Sequence, residues 1–112
     1  MRERYQVPVQ AVRFDGAAEA APAPGVVEAI LGARAVLIAP SNPVTSIGPI
    51  LAVPGVREAL QETRASIVAV TPIIAGAAVS GPAAVLMQAQ GLPASIEGVA
   101  RAYGDFLDVL VV

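Results

Sequence analysis

One stretch, residues 35–50, constrains the fold more than the rest of the chain. Ala35-Val36-Leu37-Ile38-Ala39 is a short apolar run that stops at Pro40-Ser41-Asn42-Pro43. Val44-Thr45-Ser46-Ile47-Gly48 carries the turn on to Pro49, where a second apolar segment begins. Five apolar residues bounded by turn formers read as a buried strand. The lack of polar alternation fits burial on both faces, as in a parallel sheet. Proline suits the first turn of a helix, so a helix is expected to open at Pro49 or Pro54. In open parallel sheets ligands bind outside the carboxyl ends of strands. The loop over 41–48 is therefore the first place to look for a site.

With 112 residues, the chain suffices for one small domain, read as a single α/β segment over 1–112. It is 55% hydrophobic and only 14% charged, although a small domain has a large surface to cover with polar groups. Two sources account for the excess. Much of it is Ala and Val, which need little burial. The rest implies faces that pack against parts outside these residues, so the chain reads as a piece of something larger. A membrane is not the explanation, because no apolar run approaches the ~20 residues of a spanning helix. Met1-Arg2-Glu3-Arg4 is charged with no apolar core behind it, so no signal peptide is expected and the cytoplasm is the default location.

Composition also removes several chemistries. There is no cysteine and no histidine. This excludes disulfides, thiol nucleophiles and zinc sites built on those residues, and it removes the commonest general base. All seven basic residues are arginine, so a lysine Schiff base and a complete P-loop are excluded within this chain. A net charge of −2 provides no basic field for nucleic acid.

The flanking segments supply the partners of the central strand. Alternation over 7–14 predicts a first strand over about 9–14, closed by the turn Asp15-Gly16. Residues 17–23 form a connection. A helix is expected from about Pro24, with Val27, Ile30 and Leu31 as its apolar stripe and Gly32 as a left-handed cap. Residues 49–53 form a helical turn, and Val56 and Leu60 mark a helix over 56–63. Residues 66–70 form a third strand, and a glycine-bearing loop over 73–82 leaves its carboxyl end. Helices follow over 83–89, broken by Gly91-Leu92-Pro93, and over 95–103, with Ser95 as cap and Gly104 as terminator. A last strand runs over 106–112. The pattern β-α-β-α-β-α-α-β implies right-handed crossovers and a mainly parallel, Rossmann-like sheet with flanking helices.

Each candidate constellation has a plain structural alternative. Ser41, Asn42, Thr45 and Ser46 offer hydroxyls, a carboxamide and nearby N–H groups that suit phosphate or sugar oxygens. Equally, Asn, Ser and Pro favour turns for their own sake. The 73–82 loop could let a backbone approach a ligand, or be no more than a connection. Asp105 and Asp108 could hold a metal, yet read more simply as solvated residues near a strand end. Arg57, Arg64 and Arg101 read as surface charges on helices. No nucleophile–base pair, no two converging carboxylates and no Gly-rich phosphate fingerprint is present.

The motifs do resemble one family. The run from Ile38 to Arg57, with Pro40-Ser41-Asn42-Pro43-Val44-Thr45-Ser46-Ile47-Gly48-Pro49-Ile50 and then Pro54-Gly55-Val56-Arg57, is similar to the signature of the 2-phospho-L-lactate transferases of coenzyme F(420) biosynthesis. The similarity continues through Thr71-Pro72-Ile73-Ile74-Ala75-Gly76, Val79-Ser80-Gly81-Pro82-Ala83, Gly98-Val99-Ala100 and Tyr103-Gly104-Asp105, in the family's order. The resemblance implies a magnesium-dependent transferase. A phospholactyl group, or a phosphoenolpyruvyl group in actinobacterial members, passes from a guanosine-diphosphate-activated donor to the hydroxyl of the deazaflavin Fo, and GMP leaves. It also implies that Ser41, Asn42, Ser46 and Gly48 line the nucleotide donor, together with Gly76 of the second loop. Asn42 and the neighbouring N–H groups are the expected contacts.

Departures from the family pattern carry equal weight. The N-terminal Gly-rich phosphate loop with its basic residue and the acidic metal site are not in this sequence, so the ligands of Mg2+ are expected elsewhere. Ala75 stands where a second glycine is common, and a basic residue often found near Ala77-Ala78 is missing. The polypeptide alone is thus expected to be inactive. The alternatives are a non-catalytic nucleotide-binding or regulatory module, and an inactive fragment. Apolar faces left open by a missing half would favour self-association, most simply as a homodimer.

Overall fold

The computed structural model describes residues 12–72, 81–93 and 95–112. A 3-10 turn, Ala17–Glu19, precedes α1 (Val26–Gly32), β1 (Ala35–Ile38), α2 (Ile47–Ala52), α3 (Val56–Glu62) and β2 (Ser66–Val70). Then come α4 (Gly81–Ala89), α5 (Ile96–Ala102) and β3 (Val109–Val111). The three strands form one sheet in the order β1-β2-β3, and both pairings are parallel. This is the expected Rossmann-like α/β arrangement, an open parallel sheet with flanking helices. No described helix is long and apolar enough to cross a membrane.

The expected first strand is not seen where it can be checked: residues 12–14 have no strand conformation, and 1–11 lie outside the described residues. The 73–80 loop also lies outside them. The helix and strand boundaries elsewhere follow the sequence reading to within about two residues, apart from β3. That strand is shorter than expected, because Tyr103 to Asp108 turns across the amino end of the sheet before pairing begins.

Two helices begin from the same device. In Ala23-Pro24-Gly25-Val26 the Val26 N–H donates to the Ala23 carbonyl at 3.1 Å, and in Val53-Pro54-Gly55-Val56 the Val56 N–H donates to the Val53 carbonyl at 3.2 Å. Gly25 has φ 90° and Gly55 has φ 96°. A turn with Pro at its second position and a left-handed residue at its third needs glycine there. The left-handed glycine thus precedes α1. Gly32, expected to cap the end of α1 in that conformation, is an ordinary helical residue, and extended Ala33 ends the helix. Glu58 completes the start of α3 by accepting the Gly55 N–H on Oε1 at 3.1 Å. Ser95 stands at the start of α5, but its hydroxyl makes no capping bond; its carbonyl takes the Gly98 and Val99 N–H groups.

The core lies between one face of the sheet and the helices. Ile67 and Ala69 of β2 are buried on it, with Leu51, Val56 and Leu60 from α2 and α3, and Met87, Val99, Tyr103 and Phe106 from the second crossover. The other face is open. β1 alternates between exposed and half-buried residues, and Leu37 is 76% exposed. This corrects the expectation of a strand buried on both sides. The run is apolar on both faces, but these residues provide helices for only one.

Side chains tie the amino end of the sheet. The Thr63 hydroxyl donates to the Ile30 carbonyl at 2.7 Å and accepts the Ala65 N–H at 3.2 Å, linking the ends of α1 and α3. Asp108 accepts the Ile67 N–H on Oδ2 at 2.8 Å, while its own N–H donates to the Ile67 carbonyl at 3.0 Å. Tyr103 packs beside Phe106 with ring centroids 5.9 Å apart. Burial pushes the Tyr103 hydroxyl up to about 12. The unfolded chain then loses this proton near pH 10 while the folded one keeps it. Stability is expected to fall as pH rises from about 10 towards about 12. The Tyr103→Phe variant should show a flatter urea midpoint over that range, and an equal slope in both proteins would refute the assignment.

Candidate functional site

The chain leaves the carboxyl end of β1 as Ala39-Pro40-Ser41-Asn42-Pro43, so the loop singled out in the sequence stands at the end of the sheet where ligands bind in such folds. Asn42 builds it. Its Oδ1 accepts the N–H groups of Val44 at 2.8 Å and Thr45 at 3.1 Å. Its backbone carbonyl accepts those of Ser46 at 3.1 Å and Ile47 at 3.0 Å. One residue thereby gathers four consecutive N–H groups and leads the chain into α2. This is the asparagine turn that competes with regular structure. Val44 is buried and fastens the loop to the core.

The chemistry offered outward follows from what is already spent. The N–H groups expected to meet a ligand point instead at Asn42. What remains is the Asn42 Nδ2 donor, which makes no bond to a described residue, and the hydroxyls of Ser41, Thr45 and Ser46. Ser41 and Asn42 are half-buried, whereas Thr45 and Ser46 are exposed. The Ser46 hydroxyl does not cap α2. These groups form a set of neutral hydrogen-bonding partners suited to sugar hydroxyls, base edges or phosphate oxygens.

Gly48, also expected to line the site, has a packing role. A Cβ there would lie 2.9 Å from Phe14 Cζ and 3.1 Å from the Pro43 carbonyl oxygen. The missing side chain lets the Phe14 ring close against the loop. Behind it lies a cavity of about 270 Å3, lined among others by Phe14, Pro43, Val44, Gly48, Arg57 and Gln90. The Gln90 Nε2 donates to the Val12 carbonyl at 2.9 Å and holds the 12–14 segment near it. Gly76 belongs to the second loop and lies outside the described residues, so the structure brings Ser41, Asn42, Ser46 and Gly48 together without it.

The acidic groups stand elsewhere. Asp105 accepts hydrogen bonds from Arg57 Nη1 and, at 2.7 Å, from Gln61 Nε2. Burial pushes Asp105 up, but these two bonds outweigh it and hold the carboxyl below its usual range. The Arg57 guanidinium also lies 5.3 Å from the centre of the Phe106 ring. Both partners of the ion pair are over a third exposed, which makes it a modest tie between α3 and the approach to β3. A groove of about 500 Å3 borders this region at the amino end of the sheet, lined by Gln61, Arg64, Ser66, Asp105 and Asp108 among others. Among the described residues no three Asp, Glu, His or Cys come together in a way that could hold a metal ion. The described residues therefore do not gather the carboxylates that the magnesium implied by the resemblance would need. Asp105 and Asp108 are committed to protein contacts, and sequence spacing carried no signal for those long-range partners.

Comparison with known proteins agrees with the loop's signature. The family model for 2-phospho-L-lactate transferase CofD matches residues 1–112. The 2-phospho-L-lactate transferase of Methanosarcina mazei is 50% identical over 109 residues, covering 97% of this chain and 35% of that protein. That of Methanocaldococcus jannaschii is 42% identical over 112 residues, covering all of this chain and 35% of its own length. The phosphoenolpyruvate transferase of Mycobacterium sp. (strain KMS) is 48% identical over 104 residues, covering 93% of this chain and 31% of that protein. The chain thus spans about a third of the length of the curated relatives it matches. With the family model matching residues 1–112 of this chain and the strand-end loop in place, the chain belongs to the 2-phospho-L-lactate transferase family, CofD.

Proposed function

We propose that these residues form the donor-facing part of a transferase of coenzyme F(420) biosynthesis. The reaction moves a phospholactyl or phosphoenolpyruvyl group from a guanosine-diphosphate-activated donor to the hydroxyl of the deazaflavin Fo and releases GMP, in the cytoplasm. The observation that carries this reading is the Asn42-centred loop at the carboxyl end of β1 in a chain of this family. Displacement at phosphorus depends on positioning and on neutralising charge. This loop supplies positioning: Asn42 Nδ2 and the hydroxyls of Ser41 and Ser46 orient the donor, and the Gly48–Phe14 contact keeps the loop in shape. Charge neutralisation, including the ligands of Mg2+, comes from the two-thirds of the family fold beyond these residues. The 112 residues alone are then a nucleotide-binding module at most.

The test uses a chimera in which residues 1–112 replace the matching third of the Methanosarcina mazei transferase. Asn42→Ala removes both the loop's acceptor and the donor contact. Asn42→Asp keeps the acceptor and removes the Nδ2 donor. Losing one hydrogen bond to a charged ligand costs about 1.5–3 kcal/mol, or roughly ten- to a hundredfold in affinity. Both variants are expected to weaken GDP in calorimetric titration by at least about tenfold while Fo affinity stays within about twofold. GDP affinity equal to that of the unaltered chimera would remove Asn42 from the donor site.

A further inference from the structure

The Asn42 loop is braced by a side chain that comes from far away in the sequence. Pro43, Val44 and Gly48 border the cavity of about 270 Å3, and a void offers its lining no partner atoms. The contact at its edge therefore matters more. That contact is the half-buried Phe14, whose Cζ and Cε2 lie 2.9 and 3.4 Å from the place a Gly48 Cβ would take. Residues 12–14 belong to neither a helix nor a strand. The ion pair of the neighbouring Arg13 and Asp15, at 3.4 Å with both side chains 88% exposed, adds little. Gln90 ties the segment down: its Nε2 donates to the Val12 carbonyl at 2.9 Å, across 78 residues of chain.

Gln90 has a fixed place from which to do this. Just after α4 the Gly91 N–H donates to the Gln88 carbonyl at 2.9 Å, and the Leu92 N–H to the Met87 carbonyl at 2.9 Å. Gly91 has φ 76°. Two such bonds around a left-handed glycine form a Schellman helix end, in which Gln90 is the capping residue. Met87, at the root of that end, is 1% exposed in the core. A continuous path thus runs from the core through Met87 to Gln90, across the amide to Val12, and two residues on to Phe14 against Gly48. We propose that Gln90 is a positioning residue for the Asn42 loop. Through Val12 and Phe14 it holds the loop in the arrangement that meets the donor, and it acts without touching the ligand. The link to the donor rests on the function proposed above, whereas the link to the loop does not.

The test uses the chimera. Gln90→Met keeps the length of the side chain and removes its N–H donor, and Gln90→Lys puts a donor back. One net hydrogen bond shifts an equilibrium by roughly two- to tenfold. Hydrogen exchange read by mass spectrometry is expected to quicken by that factor in Gln90→Met over a peptide spanning 41–48, where the Asn42 carboxamide holds the Val44 and Thr45 N–H groups. A peptide over α3 should keep its rate, because Gln90 is exposed and outside the core, and Gln90→Lys should restore the loop. Phe14→Ala should quicken the same loop peptide. Adding Gln90→Met to Phe14→Ala should then change nothing further, since the two act in series. GDP affinity in calorimetric titration should fall by the same factor in Gln90→Met and recover in Gln90→Lys. An unchanged loop rate in Gln90→Met would overturn the proposal, as would additive effects of the two substitutions. Equal quickening of the α3 peptide would also overturn it, by marking a general loss of stability. So would unchanged GDP affinity in a chimera whose Asn42→Asp variant has lost it. If Asn42→Asp leaves GDP affinity intact, the donor reading falls and the exchange rates alone decide whether Gln90 positions the loop.

Discussion

Replacing Gly98 by alanine is expected to cost about 3 kcal/mol or more, beyond the usual range for an overpacked core. A Cβ at position 98 would lie 1.7 Å from the Pro93 carbonyl oxygen and 2.8 Å from Met87 Cε. The methionine end can move aside. The carbonyl belongs to the backbone that joins α4 to α5, so α5 itself has to shift. Val99 and Tyr103 sit in the core on that helix, and both would be displaced with it. Small domains hold a total of about 5–15 kcal/mol, so the variant sits close to unfolding. Gly32→Ala is the control. Gly32 is helical with nothing within 4 Å of its added Cβ, and alanine there should stabilise by up to about 1 kcal/mol. Urea midpoints by circular dichroism separate the two, and equal midpoints would remove the close approach as the reason for glycine.

Ile67→Ala should cost about 2–5 kcal/mol, because it empties a fully buried position under the helices. Ile67 is 1% exposed at the middle of the sheet, and its backbone is bonded on both sides of Asp108. Leu37→Ala, one strand away on the open face, should change the same midpoint by less than about 0.5 kcal/mol. The contrast reverses in part when the open face is covered: in the chimera, Leu37→Ala is expected to cost well over about 1 kcal/mol. A loss for Leu37→Ala in the isolated chain as large as that for Ile67→Ala would mean that the two faces are equally packed.

The sequence was legible where structure is local. Val56 and Leu60, four apart after Pro54-Gly55, marked α3, and Gly91-Leu92-Pro93 marked the end of α4, where the Leu92 N–H bonds the Met87 carbonyl at 2.9 Å. The strand-end position of Asn42 also followed from the run before it. What the pattern could not separate was an apolar residue that is covered from one that awaits cover. Leu37 and Ile67 look alike in sequence and differ in exposure because of where helices lie. Nor could spacing reveal that Asp105 would meet Arg57, 48 residues earlier, or that Gly48 would serve Phe14. The left-handed glycine of α1 is Gly25, in front of the helix, and not Gly32 at its end, where extended Ala33 follows directly.

The order Asn42-Pro43 bears on how the loop ages. Asparagine side chains commonly deteriorate when the nitrogen of the following residue attacks the carboxamide carbon, closing a five-membered imide that later opens to aspartate or isoaspartate. Proline has no N–H to deprotonate, so that ring cannot close here. The oxygen that gathers the Val44 and Thr45 N–H groups is therefore shielded from this route of spontaneous deamidation. A loop that rests on one carboxamide keeps its shape over the life of the protein because of the residue placed immediately after it.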